Sequence, residues 1–157
     1  VTERQVHHSA ICVHDIDAST RFYRDGLGLS VVMDESFDGD WPTLFGAPST
    51  TLRSVFLGDP AAPDAGIVEL VQFAQTTEQV TDRQHSDAKA SLAPPEAGFF
   101  LLSLYVDVDA TLARLAELGL GGEPRRISQP APGGTSVSMA TVRDPDGVLI
   151  ELIGVGA

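Results

Sequence analysis

The chain has 157 residues, enough for one compact domain or for two half-size modules sharing a core. Its 43% hydrophobic and 20% charged residues belong to an ordinary globular protein, and ten basic against 22 acidic side chains leave a net charge of −12 that sets the averaged surface against nucleic acid and anionic membrane. No apolar run approaches the ~20 residues that span a bilayer, the start of the chain has no secretory pattern, and a lone cysteine, Cys12, excludes an intramolecular disulfide and points to a reducing, cytoplasmic location.

The first strand is expected over residues 7–14, with His8, Ala10, Cys12 and His14 on one face and Ile11 and Val13 on the other. Asp15-x-Asp17 stands where a helix N-cap is wanted, and the helix from Asp17 to about Asp25 stops at Gly26 and Gly28. Further strands follow near 29–35, 52–58 and 66–73; the stretch 40–50 has Pro42 and Pro48 and is expected to be irregular, with at most a short turn of helix. In the last of these strands Ile67, Glu69, Val71 and Phe73 share one face, while Val68 and Leu70 share the other and should pack under the helix. The polar segment 74–97, with Pro94-Pro95, reads as a linker, partly helical around Thr81 to Leu92.

The second half repeats the first. Pro63 to Val71 is echoed by Pro145 to Ile153 at a constant offset of 82, and Asp15-x-Asp17 by Asp107-x-Asp109 at 92. Strands are expected near 99–106, 123–128, 136–143 and 148–153, with a helix from Asp109 to Leu118 carrying Leu112, Leu115 and Leu118 as its apolar stripe. Gly133-Gly134, between Pro130 and Pro132 and the next strand, forms a loop. The chain therefore reads as an α+β protein of two tandem βαβββ modules, residues 1–73 and 98–157, joined by the linker 74–97.

Each module carries a glutamate, Glu69 or Glu151, inside its last strand on the face away from the helix. A carboxylate on a face that lines a cavity needs a partner, because an unpaired buried charge costs several kcal/mol or takes up a proton. His8 has the parity to join the glutamates, and one imidazole with carboxylates suits Zn, Ni, Co, Mn or Fe as a divalent ion. A structural histidine and water-facing glutamates are the alternative. Cys12 shares that face, and a small buried thiol is its expected state. Arg125-Arg126 suits an anionic group or a solvated strand edge.

His8-Ser-Ala-Ile-Cys-Val-His-Asp15, then Phe22-Tyr23-Arg24-Asp25-Gly26-Leu27-Gly28-Leu29, and the closing Asp144-Pro145-Asp146-Gly147-Val148-Leu149-Ile150-Glu151-Leu152, resemble the glyoxalase/bleomycin-resistance/extradiol-dioxygenase group, the vicinal oxygen chelate superfamily. The resemblance implies curled sheets enclosing a metal-containing cleft, with His8, Glu69 and Glu151 as ligands and a homodimer as the working form. The remaining ligand position, usually histidine in metal-dependent members, falls on Leu101, so a metal keeps three protein ligands or is absent. The activity implied is a metal-dependent lyase, isomerase or epimerase that abstracts a proton next to a carbonyl, with Glu69 and Glu151 as the acid–base pair. Ring-cleaving dioxygenase chemistry is disfavoured because it typically needs two histidines and one carboxylate. The competing expectation is a metal-free binding protein for a drug or metabolite. Ser103 and Tyr105 share the parity of Leu101 and, with Phe73 and Trp41, are the expected substrate contacts; Phe37 and Phe45 add stacking surface.

Overall fold

Period-two alternation and paired Asp caps yield eight strands and three helices in a computed structural model that describes residues 6–62, 65–74, 97–130 and 136–156. The described residues form two compact units, one ending at Ala74 and the other beginning at Ala97. Each has the α+β order read from the sequence, with an open four-stranded mixed sheet.

The first module runs β1 (His8–Cys12), α1 (Ile16–Arg21), a π-helical turn (Phe22–Gly26), β2 (Ser30–Asp38), α2 (Trp41–Phe45), β3 (Thr51–Gly58) and β4 (Ile67–Phe73). Its strand order is β1-β4-β3-β2, with β1 parallel to β4 and the other pairs antiparallel. Asp15 caps α1 by accepting from the backbone N–H groups of Asp17 and Ala18, so one carboxylate oxygen satisfies two donors that the first turn leaves over. The helix then widens: Leu27 N–H reaches back five residues to the Phe22 carbonyl. Phe22 and Tyr23, fully buried and edge-to-face at 5.1 Å, fill the core together with Ile11, Val13, Val55, Leu57, Val68 and Leu70. Val68 and Leu70 are on the core face, as their parity required.

The second module runs β5 (Leu102–Tyr105), α3 (Val108–Leu118), β6 (Arg125–Pro130), β7 (Ser136–Arg143) and β8 (Leu149–Gly156), in the order β5-β8-β7-β6. Asp107 caps α3 through the Ala110 N–H, and Gly119 ends it in the left-handed region, where a side chain would be strained. Leu115 on α3 and Val142, Ile150 and Leu152 on the sheet are all buried. Gly154 is required by close approach: a Cβ there would lie 2.3 Å from the Val106 carbonyl oxygen.

Four local expectations are corrected. β5 starts at Leu102, not at residue 99, so Leu101 precedes the strand. β2 extends to Asp38, because β3 continues to pair with it as far as Thr51. Trp41–Phe45 is a helix despite Pro42, since proline in a first turn gives up an N–H that has no helical partner anyway, and Asp40 caps the Thr43 N–H. Cys12 is exposed, because it lies on the face opposite the helix in a strand paired on one side only. The linker over 75–96 and the Gly133-Gly134 loop lie outside the described residues.

Candidate functional site

In the first module the parallel register sets Ala10 beside Glu69 and His8 beside Ile67, which puts His8 and Glu69 on one face one step apart. Their side chains meet: His8 Nε2 is 3.2 Å from Glu69 Oε2. The other carboxylate oxygen, Oε1, accepts from Ser54 Oγ at 2.6 Å. Ser54 is buried, and Glu69 keeps 15% of its side chain accessible against 39% for His8. Phe56, paired with Glu69 across β3 and β4, lies against the His8 ring with centroids 5.7 Å apart. His8 thus has an apolar ring on one side, a carboxylate at Nε2 and, at Nδ1, the Nδ1 of His7 at 2.8 Å.

In the second module the same register sets Ser103 beside Glu151, and Ser103 Oγ donates to Glu151 Oε2 at 2.7 Å. Thr141 pairs with Glu151 where the first module has Phe56. His8 stands two residues before the partner of Glu69, and Leu101 two before the partner of Glu151, so the sheet registers give Leu101 the place of His8. No imidazole faces Glu151 from β5.

The other expected site residues lie on separate elements of the two modules. Phe73, at the end of β4, is half-buried and pairs with Leu52. Trp41 stacks on Phe45 at 5.7 Å on the β2–β3 connection and donates through Nε1 to the Phe37 carbonyl. Tyr105, at the end of β5, is 76% exposed and borders a depression at the start of α3 with Asp107, Asp109, Ser138 and Val155. His14 falls beyond β1, and its carbonyl accepts from Gln72 Nε2. Arg126 pairs with Asp109 at 2.5 Å, which gives that half of the Arg125-Arg126 pair a partner within the module.

Two residues beside the His8–Glu69 pair, one excluded by strand parity and one without a signal of its own, are placed by the structure. His7 has the wrong parity for the glutamate face, but β1 begins only at His8, so strand alternation does not govern the ring of His7. Ser54 carries no signal alone; the register of β3 on β4, which sets it diagonally across from Glu69, reveals it.

The donor chemistry can be tested for a divalent ion. Two ligand atoms about 2.1 Å from one metal, at octahedral or tetrahedral angles, lie about 3.0 to 3.4 Å apart. The 3.2 Å between His8 Nε2 and Glu69 Oε2 fits two neighbouring coordination positions. Among the described residues neither module gathers three His, Cys, Asp or Glu side chains into a metal cluster. The His8–Glu69 pair therefore fits part of a ligand set, and a complete set needs further donors.

On the opposite face of the first sheet, Arg53 makes a two-pronged contact with Asp34, through Nε and Nη2 at 2.8 Å each, and reaches Asp17 at 2.9 Å through Nη1. The Asp34 carboxyl is held below the usual carboxylate range chiefly by its hydrogen bonds to Arg53. This cluster ties the edge strand β2 and the start of α1 to β3.

Comparison with known proteins agrees with this architecture. The family model described as "Glyoxalase/Bleomycin resistance protein/Dioxygenase superfamily" matches residues 5–152. The chain is 37% identical over 153 residues to the lactoylglutathione lyase-like protein terB of Aspergillus terreus, covering 94% of this chain and 74% of the relative. In fold it is similar to a glyoxalase family protein from Bacillus cereus, with TM-score 0.69, 19% identity, and 100% and 97% of the two chains covered. It is similar also to the trypanothione-dependent glyoxalase I of Leishmania major, with TM-score 0.59, 23% identity, and 97% and 87% covered. Among the described residues no helix is long and apolar enough to cross a membrane.

Proposed function

The chain belongs to the glyoxalase/bleomycin resistance protein/dioxygenase superfamily, and we propose that it is a divalent-metal-dependent lyase, isomerase or epimerase acting next to a carbonyl of a small oxygen-chelating substrate. The observation that supports this reading is that His8 and Glu69 meet on one face of the first sheet, His8 Nε2 lying 3.2 Å from Glu69 Oε2 as an ion pair whose spacing two neighbouring ligands can share. His8, Glu69 and Glu151 would hold the ion, of the Zn, Ni, Co, Mn or Fe type. Such an ion would supply polarisation of a carbonyl or enediolate oxygen, which lowers the barrier to removing the adjacent carbon-bound proton.

The chain's own groups move that proton. One of Glu69 and Glu151, ionised, would accept it from carbon, and the other, starting protonated, would deliver a proton to the opposite face of the same carbon for an epimerase or to the neighbouring carbon for an isomerase. Ser103 and Tyr105 supply hydroxyls and Phe73 and Trp41 apolar surface for the rest of the substrate. The proposed working form is a cytoplasmic homodimer. The Aspergillus relative's name makes lactoylglutathione the first compound to try.

Leu101 favours a second reading, in which the chain binds a small molecule without metal, because the place of His8 in the second module carries no donor. Metal analysis of protein purified without chelator separates the two. The enzyme reading expects stoichiometric transition metal that is lost in His8→Ala and in Glu151→Ala. Metal-free wild-type protein that stays metal-free after incubation with Zn²⁺, Co²⁺ and Ni²⁺ contradicts it and supports the binder.

A further inference from the structure

Both glutamates receive a serine hydroxyl, and the duplication does not account for it. In the first module the donor is Ser54 on β3, and in the second it is Ser103 on β5. The positions are not equivalent. The register gives Ser103 the place of Ala10, since these are the β5 and β1 partners of Glu151 and Glu69. It gives Ser54 the place of Met139, since Ser54 pairs with Val71 and Met139 with Ile153, each two residues beyond the glutamate. A donor inherited from a common half would occupy the same place in both modules.

Ser54 makes the stronger case. It is 1% exposed on a strand whose neighbours Leu52, Val55 and Leu57 are also buried, and a buried hydroxyl there needs an acceptor. It finds one in Glu69 Oε1 at 2.6 Å, the short distance of an O–H donor on a carboxylate. A glutamate side chain has three rotatable bonds, so His8 alone would leave its carboxylate free to swing. With Oε1 tied down, Oε2 is the oxygen presented toward His8 Nε2.

We propose that Ser54 is a positioning residue: it commits Oε1 of Glu69 and thereby holds Oε2 in register with His8 Nε2 for the divalent ion. This rests on the metal-dependent reading above, and it concerns a residue that acts through Glu69 without touching substrate or ion. Partners that orient a ligating carboxylate typically change metal affinity about 10- to 100-fold when removed.

The test uses Co²⁺ titration of the full chain, followed by the visible absorption of the bound ion. Ser54→Ala is expected to weaken Co²⁺ binding about 10- to 100-fold while keeping the circular dichroism spectrum and melting temperature close to wild type. Ser54→Thr, which restores the hydroxyl, is expected to recover most of the affinity, and His8→Ala to abolish binding. Unchanged Co²⁺ affinity in Ser54→Ala overturns the proposal. A second readout distinguishes its failure from failure of the metal reading. In metal-free protein, the His8 Nε2 resonance in long-range ¹H–¹⁵N spectra reports the contact with Glu69. If wild type binds no Co²⁺, the metal reading falls; a shifted Nε2 resonance in Ser54→Ala then still supports positioning, and an unshifted one overturns it.

Discussion

Arg53 concentrates three jobs in one side chain: it fixes β2 through Asp34, it approaches the first turn of α1 through Asp17, and it lowers the pKa of the Asp34 carboxyl. Because that pKa is depressed in the folded state, the stabilisation is complete above the unfolded value of about 3.9 and is lost as pH falls through the folded value. The ions are 35% and 41% exposed, so solvent screening keeps the effect small, under about 1 kcal/mol. Arg53→Ala is therefore expected to be slightly less stable than wild type in urea unfolding at pH 7, with the difference shrinking below about pH 4. An undiminished difference at pH 2.5 would contradict the assignment. Gly154→Ala belongs to the same scale but to a different force: its Cβ would meet the backbone oxygen of Val106, which cannot rotate aside, and a loss of about 1–3 kcal/mol is expected from the same unfolding experiment. The sequence made His8 and Glu69 legible through strand parity. It concealed Ser54, since a serine in a strand acquires meaning only from the register, and parity misplaced His7, since alternation does not govern a histidine that precedes the strand.

At the scale of elements, the two Asp-x-Asp motifs predicted caps, and Asp15 and Asp107 supply them by accepting from the first turns of α1 and α3. Asp107→Ala is expected to cost about 1 kcal/mol, read as a lower urea midpoint with an unchanged slope; no change in midpoint would mean that water replaces the cap at no cost. Strands flanked by turn residues were legible to within a few residues. β5 was the poorest match, since the apolar run Phe99-Phe100-Leu101 extends the strand signal upstream of the backbone pairing that defines it. α2 was obscured by Pro42, whose position in the helix, first turn or interior, decides whether it ends or starts one. The π-helical turn after α1 left no periodic trace, because one extra residue per turn in a five-residue segment is too short a pattern to read.

For the whole molecule, the offset of 82 between the two closing strands gave the duplication, and the sheets confirm it with the same strand order in each half. The duplication also exposes what distinguishes the halves: a histidine that opens β1 against a leucine just before β5, and a serine supplied to each glutamate from a different strand. Sequence and fold place the chain in its superfamily, while the chemistry depends on whether Glu151 joins His8 and Glu69. That is measured most directly by a crystal structure of the Co²⁺-loaded protein with the metal located by anomalous scattering. The account predicts one strong peak bonded to His8 Nε2, Glu69 and Glu151. Glu69 and Glu151 on separate surfaces, or a metal bound without them, would contradict it.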